Sequence, residues 1–160
     1  MELIIRDFNK NDKESCVISF KSNVPLYFTE KEISQFESFL DNFQSQIING
    51  KYFEKTYYYV VLSADKIIGC GGFGYNDQTN ISTLAWGLIH KEFHKKGFGE
   101  KLLTYRLEQI KKLYPTASVL IDTTQFSYPF FEKFGFVITK VTSDFYAVGM
   151  HRYDMTLKNE

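Results

Sequence analysis

Cysteine, proline and tryptophan are scarce in this chain, and its charges cancel. Among 160 residues there are two cysteines, three prolines and one tryptophan. Cys16 and Cys70 stand alone. They have neither the paired spacing of a metal site nor the density of a small disulfide-stapled scaffold, so they read as reduced core thiols of a cytoplasmic protein with no metal centre. Lysine plus arginine equals aspartate plus glutamate, at 19 each. That balance removes any general electrostatic pull toward nucleic acid or an anionic membrane, so a phosphate-bearing partner must be met by a local patch. No apolar run approaches the length of a membrane span. The opening MELIIRDF lacks the charged-then-apolar pattern of a signal peptide. Internal repeats, linkers and low-complexity segments are also missing.

Aromatic residues are abundant, with 16 phenylalanines and 11 tyrosines, which suits a β-rich core. The length fits one domain over 1–160, enough to bury about two-thirds of its unfolded surface without staples. Leu3 to Arg6 reads as a strand. Asn11 and Glu14 have capping-box character before a helix carrying Cys16, Val17 and Phe20. Thr29-Glu30-Lys31-Glu32 is a second box, followed by Ile33, Phe36, Leu40 and Phe43 at helical spacing. Lys51 to Lys55 reads as a loop, and strands follow over 57–62 and 67–75. Gly69, Gly71 and Gly74 satisfy Gly-x-Gly-x-x-Gly, but a turn and another strand come next. Dinucleotide binding needs a helix to start inside that motif, so these glycines serve a bulge or a close backbone approach instead.

Ser82 to Ile89 is a strand, and from Phe98 the apolar positions (Phe98, Leu102, Leu103, Leu107, Ile110, Leu113) take helical spacing. Between them lies His94-Lys95-Lys96-Gly97-Phe98-Gly99. The first N–H groups of a helix have no partner within it, and the helix dipole is positive there. Gly97 and Gly99 remove side chains that would keep an anion from the backbone, and Lys95 and Lys96 add charge. Either the turn binds a diphosphate, or its glycines only let the chain bend. A Walker-type site is excluded, since Glu100 stands where Lys-Ser/Thr would follow. Pro115 ends the helix. Ser118 to Asp122 is a buried strand, a short helix runs from near Pro129 to Gly135, and strands over 136–142 and 150–157 flank a loop at 144–149. The order β-α-α-β-β-β-α-β-α-β-β defines a mixed α/β fold.

The glycine turn resembles the acetyl-CoA pyrophosphate loop of the GNAT (Gcn5-related N-acetyltransferase) superfamily, Gln/Arg-x-x-Gly-x-Gly/Ala. His94 departs at the first position, whereas Gly97 and Gly99 are kept. Phe130-Phe131-Glu132-Lys133-Phe134-Gly135-Phe136 is similar to the family's FYEKxGF segment, at the usual interval and in the usual order. The resemblance covers most of the chain. It implies a splayed central sheet flanked by helices, with acetyl-CoA as co-substrate and transfer of acetyl to a primary amine of a small molecule or peptide. The other reading is a non-catalytic module of the same fold that binds or senses acyl-CoA. A homodimer is left open.

By the same resemblance, the backbone of Gly87, Leu88 and Ile89 pairs with the pantetheine amides. Lys95, Lys96, Gly97, Phe98, Gly99 and Glu100 hold the diphosphate, and Thr124 replaces an asparagine that binds the cofactor. Tyr27 and Phe28 border the acceptor, or else staple a helix to the sheet. Trp86 and Phe126 join them, with Trp86 either walling the pocket or packing the central helix. The family's tyrosine acid falls on Phe131, which has no proton to give. Tyr128, one helical turn earlier, is the first substitute, followed by His151, Tyr146 and Tyr153. Asp122 is the sole carboxylate on the second strand of the gap. It serves as a base through water or caps Thr124 and Gln125.

Overall fold

Apolar residues recurring at every second position make strands here, and those recurring at about 3.6 make helices. The computed structural model describes residues 2–158. It begins with β1 (Leu3–Asp7), α1 (Lys13–Lys21) and α2 (Lys31–Asn42), then a small ribbon of β2 (Ile47–Ile48) and β3 (Lys51–Tyr52). The long strands β4 (Lys55–Ser63), β5 (Lys66–Asn76) and β6 (Ile81–Ile89) lead into α3 (Phe98–Leu113). β7 (Ser118–Thr123), α4 (Tyr128–Glu132), β8 (Val137–Ala147) and β9 (Met150–Leu157) complete the order. Seven strands form one sheet, β1-β4-β5-β6-β7-β9-β8. All neighbours run antiparallel except β6 and β7, which are parallel. This is the mixed α/β sheet expected from the sequence.

Alternation along β4 sorts the core into two layers. Tyr58 and Val60 face α1 and α2, where they meet Cys16, Phe20, Phe36 and Phe39. Tyr59 and Val61 face the other way, toward clusters built from α3, α4 and the far strands. Val119 and Met155 belong to that second layer. Along β7 and β9, Asp122, Arg152 and Asp154 therefore lie on the α1/α2 face, and His151 and Tyr153 on the α3/α4 face. The glycines of β5 permit close approach, as expected. A Cβ on Gly69 would meet the Leu88 carbonyl at 2.6 Å, and one on Gly74 the Phe53 ring at 2.6 Å.

Four local expectations need correction. The first capping box sits two residues earlier, where Asn9 accepts from the Asn11 N–H at 3.0 Å and Asp12 accepts from the Asn9 N–H at 2.9 Å. The second forms by half: Glu32 accepts from the Thr29 N–H, while the Thr29 hydroxyl donates to the same carboxylate. Residues 51–52 pair as β3 rather than looping, and β8 runs on to Ala147, so that only Val148 and Gly149 separate it from β9. A register slip between Thr142 and Ala147 hides that continuation from period-two alternation.

Asp12 also receives both Arg6 guanidinium nitrogens, at 2.8 and 3.0 Å. The Arg6 hydrogen bonds outweigh burial and hold its carboxyl below the ordinary aspartate value. A carboxyl depressed on folding adds stability above its unfolded value and loses it as pH falls through the folded one. Asp12→Asn is expected to cost about 2 kcal/mol in urea unfolding at pH 7, with the gap to wild type closing below the aspartate range. Equal stabilities at pH 7 would contradict this placement.

Candidate active site

Parallel pairing between β6 and β7 stops early. The partners are Ile81–Ser118, Ser82–Val119 and Thr83–Leu120. Beyond them β6 is bulged: its register with β5 slips between Cys70 and Gly72, so Trp86 and Gly87 both stand against Gly71. Trp86 takes a φ of 41°, a left-handed conformation that is strained for an aromatic residue. The Tyr58 hydroxyl donates to its carbonyl at 2.7 Å and fixes the bulge from the α1/α2 face. β7 continues through Ile121, Asp122 and Thr123 paired only with β9. A gap with free strand edge on both sides opens between β6 and β7.

At the end of β6 the chain turns through a short 3-10 stretch, Lys91–Phe93. The His94 imidazole meets the Ile89 carbonyl at 2.8 Å, and the Asn23 amide donates to the same oxygen at 2.9 Å. That carbonyl is therefore occupied by the protein itself. Lys95 (φ 62°) and Gly97 (φ 83°) swing the chain into α3. The Lys101 N–H bonds the Gly97 carbonyl at 3.2 Å. The amides of Phe98, Gly99 and Glu100 come before that bond and have no intrahelical acceptor. A Cβ on Gly97 would meet nothing within 4 Å, and one on Gly99 only Ile89 and Phe130 side-chain atoms at 3.9 Å. The protein's own atoms do not fill this cradle, which fits a diphosphate held by backbone amides. Phe98 contributes backbone alone, since its ring is buried against Val61, Ile68, Ile89 and Leu102. Lys95 and Lys96 are exposed, and Lys96 lies over the Phe93 ring at 5.4 Å. Glu100 suits the positive helix end, but its carboxylate would repel a diphosphate that its N–H attracts.

On the α3/α4 face, Thr124 is buried and starts the turn into α4. Its hydroxyl accepts from the Phe126 N–H and its carbonyl from the Ser127 and Tyr128 N–H groups. Phe131 is buried edge-on to Phe130 and Phe136. Tyr128 is half-buried and stacks on Tyr153, with centroids 4.4 Å apart. Tyr153 thus partners Tyr128 rather than filling the core. His151 is tied into the β8–β9 hairpin, where Nδ1 accepts from the Asp144 N–H at 3.0 Å. The Gln125 side chain joins the same hairpin to the β7–α4 loop through His151 N–H and the Gly149 carbonyl.

The α1/α2 face carries a groove of about 450 Å³ between the α1–α2 connection (Pro25, Leu26, Thr29, Glu30) and the β8–β9 turn (Ala147 to Met150), with Phe126 at its side. Tyr27 stands edge-on to both Phe126 and His94, which links the groove's edge to the end of β6 through the His94–Ile89 contact. Phe28 and Trp86 are drawn inward onto Phe20, and Trp86 packs against the two N-terminal helices rather than the central one. The sequence expectation for Asp122 as a cap is not met: it accepts the Tyr146 hydroxyl at 2.6 Å. Burial, then the Asp122 charge, push the Tyr146 phenol up. Arg152 is bonded to Asp154 at 2.9 Å beside them. Burial also raises the Glu32 carboxyl, against the Thr29 hydrogen bonds that lower it, and the Asp122 charge adds to the rise. Glu32 read in sequence as a helix cap alone, and Tyr146 stood within the expected loop, so nothing local announced their meeting with Asp122.

The chain matches the family model for an acetyltransferase (GNAT) domain over residues 25–159, and it belongs to that family. Its fold is similar to an acetyltransferase of the GNAT family from Staphylococcus aureus Mu50, at TM-score 0.76 and 17% identity, covering 99% of this chain and 100% of that one. The ribosomal-protein-S18-alanine N-acetyltransferase from Escherichia coli aligns at TM-score 0.76 and 12% identity, over 99% and 95% of the two chains. An aminoglycoside 6′-N-acetyltransferase complexed with coenzyme A aligns at 0.72 and 14%, over 98% and 97%. No curated protein sequence matches the chain.

Gly97→Val puts a β-branched residue at positive φ and a side chain into the cradle. It is expected to cost about 1–3 kcal/mol of stability and to raise the Kd for coenzyme A at least tenfold in calorimetry. Unchanged affinity in the folded variant would remove the diphosphate from this turn.

Proposed function

We propose that the chain is an N-acetyltransferase that moves acetyl from acetyl-CoA to a primary amine of a small molecule or a peptide. The observation that carries this reading is the unfilled amide cradle at Gly97–Glu100, placed directly beside the β6–β7 gap. A diphosphate on the cradle directs pantetheine along Gly87 and Leu88 and sets the thioester in the gap. The amine enters from the opposite face, through the groove beside Tyr27 and Phe126. Holding the two reactants in line removes most of the entropic cost of their meeting.

The proton-handling groups divide by face. An amine arrives as ammonium and must lose a proton before its lone pair attacks the thioester carbonyl. Asp122 and Glu32 supply negative charge on the acceptor face, which favours a cationic acceptor. Asp122, fixed by Tyr146, is the group that takes the proton. On the cofactor face Tyr128, next to the end of β7, gives a proton to the departing thiolate. A thiol titrating near 8.5 leaves tolerably without help, so this contribution is the smaller. No step is assigned to His151, whose Nδ1 is committed to the Asp144 amide.

Release of coenzyme A thiol from acetyl-CoA, followed across polyamines, aminoglycosides, amino acids and short peptides, tests the reading. Turnover is expected with one class of cationic amine. Asp122→Asn should lower kcat/KM for that amine about 10²–10⁴-fold, as removal of a general base does, with the KM for acetyl-CoA unchanged. Tyr128→Phe should lower kcat less. Coenzyme A binding without turnover on any amine would favour the binding-module reading instead.

A further inference from the structure

Arg106 is the one arginine of α3, and it points inward rather than to solvent. It is 3% exposed. Of its five N–H groups, Nη1 donates to the Gly72 carbonyl at 3.3 Å, and the buried Nε–H has no acceptor among the described residues. The guanidinium lies where a Cβ on Gly87 would stand, and it reaches van der Waals range of Gly71. A Cβ on Gly87 would lie 2.5 Å from Nη2 and 2.9 Å from Nη1, and one on Gly71 would lie 3.4 Å from Cζ. Gly71 is a member of the Gly-x-Gly-x-x-Gly run that serves no dinucleotide. Desolvation lowers the Arg106 pKa to about 10.

Stability does not explain such a residue. An apolar side chain of similar volume in place of a buried, poorly paired charge is commonly neutral or stabilising. What the guanidinium touches is the β5–β6 bulge, at Gly71 and Gly72 on one strand and Gly87 on the other. The Tyr58 hydroxyl holds the same bulge at the Trp86 carbonyl from the opposite face. Between them the two side chains clamp the bulge in the part of β6 that lies beyond its pairing with β7.

We propose that Arg106 is a positioning residue for the cofactor strand: its guanidinium, seated in the space left by Gly71 and Gly87, sets the β6 bulge and so the line of Gly87 and Leu88 along which pantetheine binds. This rests on the acetyl-CoA reading above. Arg106 touches neither co-substrate. Its effect falls on cofactor affinity, with the acceptor's KM unaffected.

The test compares wild type, Arg106→Met, Gly87→Ala and the double variant, by calorimetric Kd for coenzyme A, by kcat and both KM values, and by thermal unfolding. Arg106→Met is expected to keep or raise the unfolding midpoint while weakening coenzyme A and raising the KM for acetyl-CoA about tenfold, as a misplaced contact does. Gly87→Ala, which displaces the guanidinium, should weaken coenzyme A comparably in the wild-type background. In the Arg106→Met background it should add little, the coupling expected of two residues in contact. Should Arg106→Met fail to fold, Gly87→Ala and Arg106→Lys read the same clamp, with partial retention expected in the lysine variant. Folded variants that bind coenzyme A as wild type does, or that lose stability alone, would overturn the proposal and leave the acetyl-CoA reading standing. Wild type that does not bind coenzyme A would overturn that reading, and Arg106's role would fall with it.

Discussion

The architecture depends on a single constraint, the bulge that places Trp86 and Gly87 against Gly71. A regular β6 would continue its parallel pairing with β7 past Thr83 and Leu120, and the sheet would close. The extra residue turns β6 away instead, at the cost of holding Trp86 at positive φ. That strain persists only because surrounding groups over-determine it. Tyr58 bonds the Trp86 carbonyl on one face, Arg106 fills the glycine-lined space on the other, and the Trp86 ring is packed against Phe20 and Phe36.

Opening the sheet at that point gives the molecule two faces with different chemistry. The α3 side offers backbone amides at a helix start, backed by exposed lysines, and it suits an anion. The α1/α2 side offers Asp122 and Glu32 beneath an aromatic entrance, and it suits a cation. A balanced overall charge does not reveal this separation, because the sum over the chain carries no positions. The turn after β6 is kept in shape by His94, which reaches back to the Ile89 carbonyl where the family pattern has glutamine or arginine. The departure in sequence therefore has a structural use.

Sequence made the sheet and the glycine turn into α3 legible, because both are written in local signals. Alternation marked the strands, helical spacing marked α2 and α3, and Gly97 with Gly99 marked the turn. The residues on the α1/α2 side were legible one by one, but the Asp122–Tyr146 pair was not, because the two meet only through tertiary pairing. Asp122 and Tyr146 are 24 residues apart and come together because β7 and β8 both flank β9. The strand carrying Tyr146 is interrupted by a register slip, which breaks the alternation that would have identified it. Arg106 offered still less, since an arginine on an amphipathic helix normally reads as solvent-facing. Its inward direction is permitted by Gly87 on β6, where a Cβ would meet the guanidinium at 2.5 Å. The β2–β3 ribbon, with two residues in each strand, is too short to carry any period.

The central claim is that coenzyme A lies across the α3 cradle and along the open edge of β6. Amide hydrogen exchange of the protein with and without coenzyme A tests this most directly. The account predicts new protection at the amides of Phe98, Gly99 and Glu100 and along Gly87 to Ile89, with β1 and the outer face of α3 unchanged. A groove of about 430 Å³ starts at Gly97 and Glu100 and runs on along that outer face past Lys101, Thr104, Tyr105, Glu108 and Ile5. Protection at Thr104, Tyr105 and Glu108, with Phe98 to Glu100 and β6 unaffected, would contradict the account.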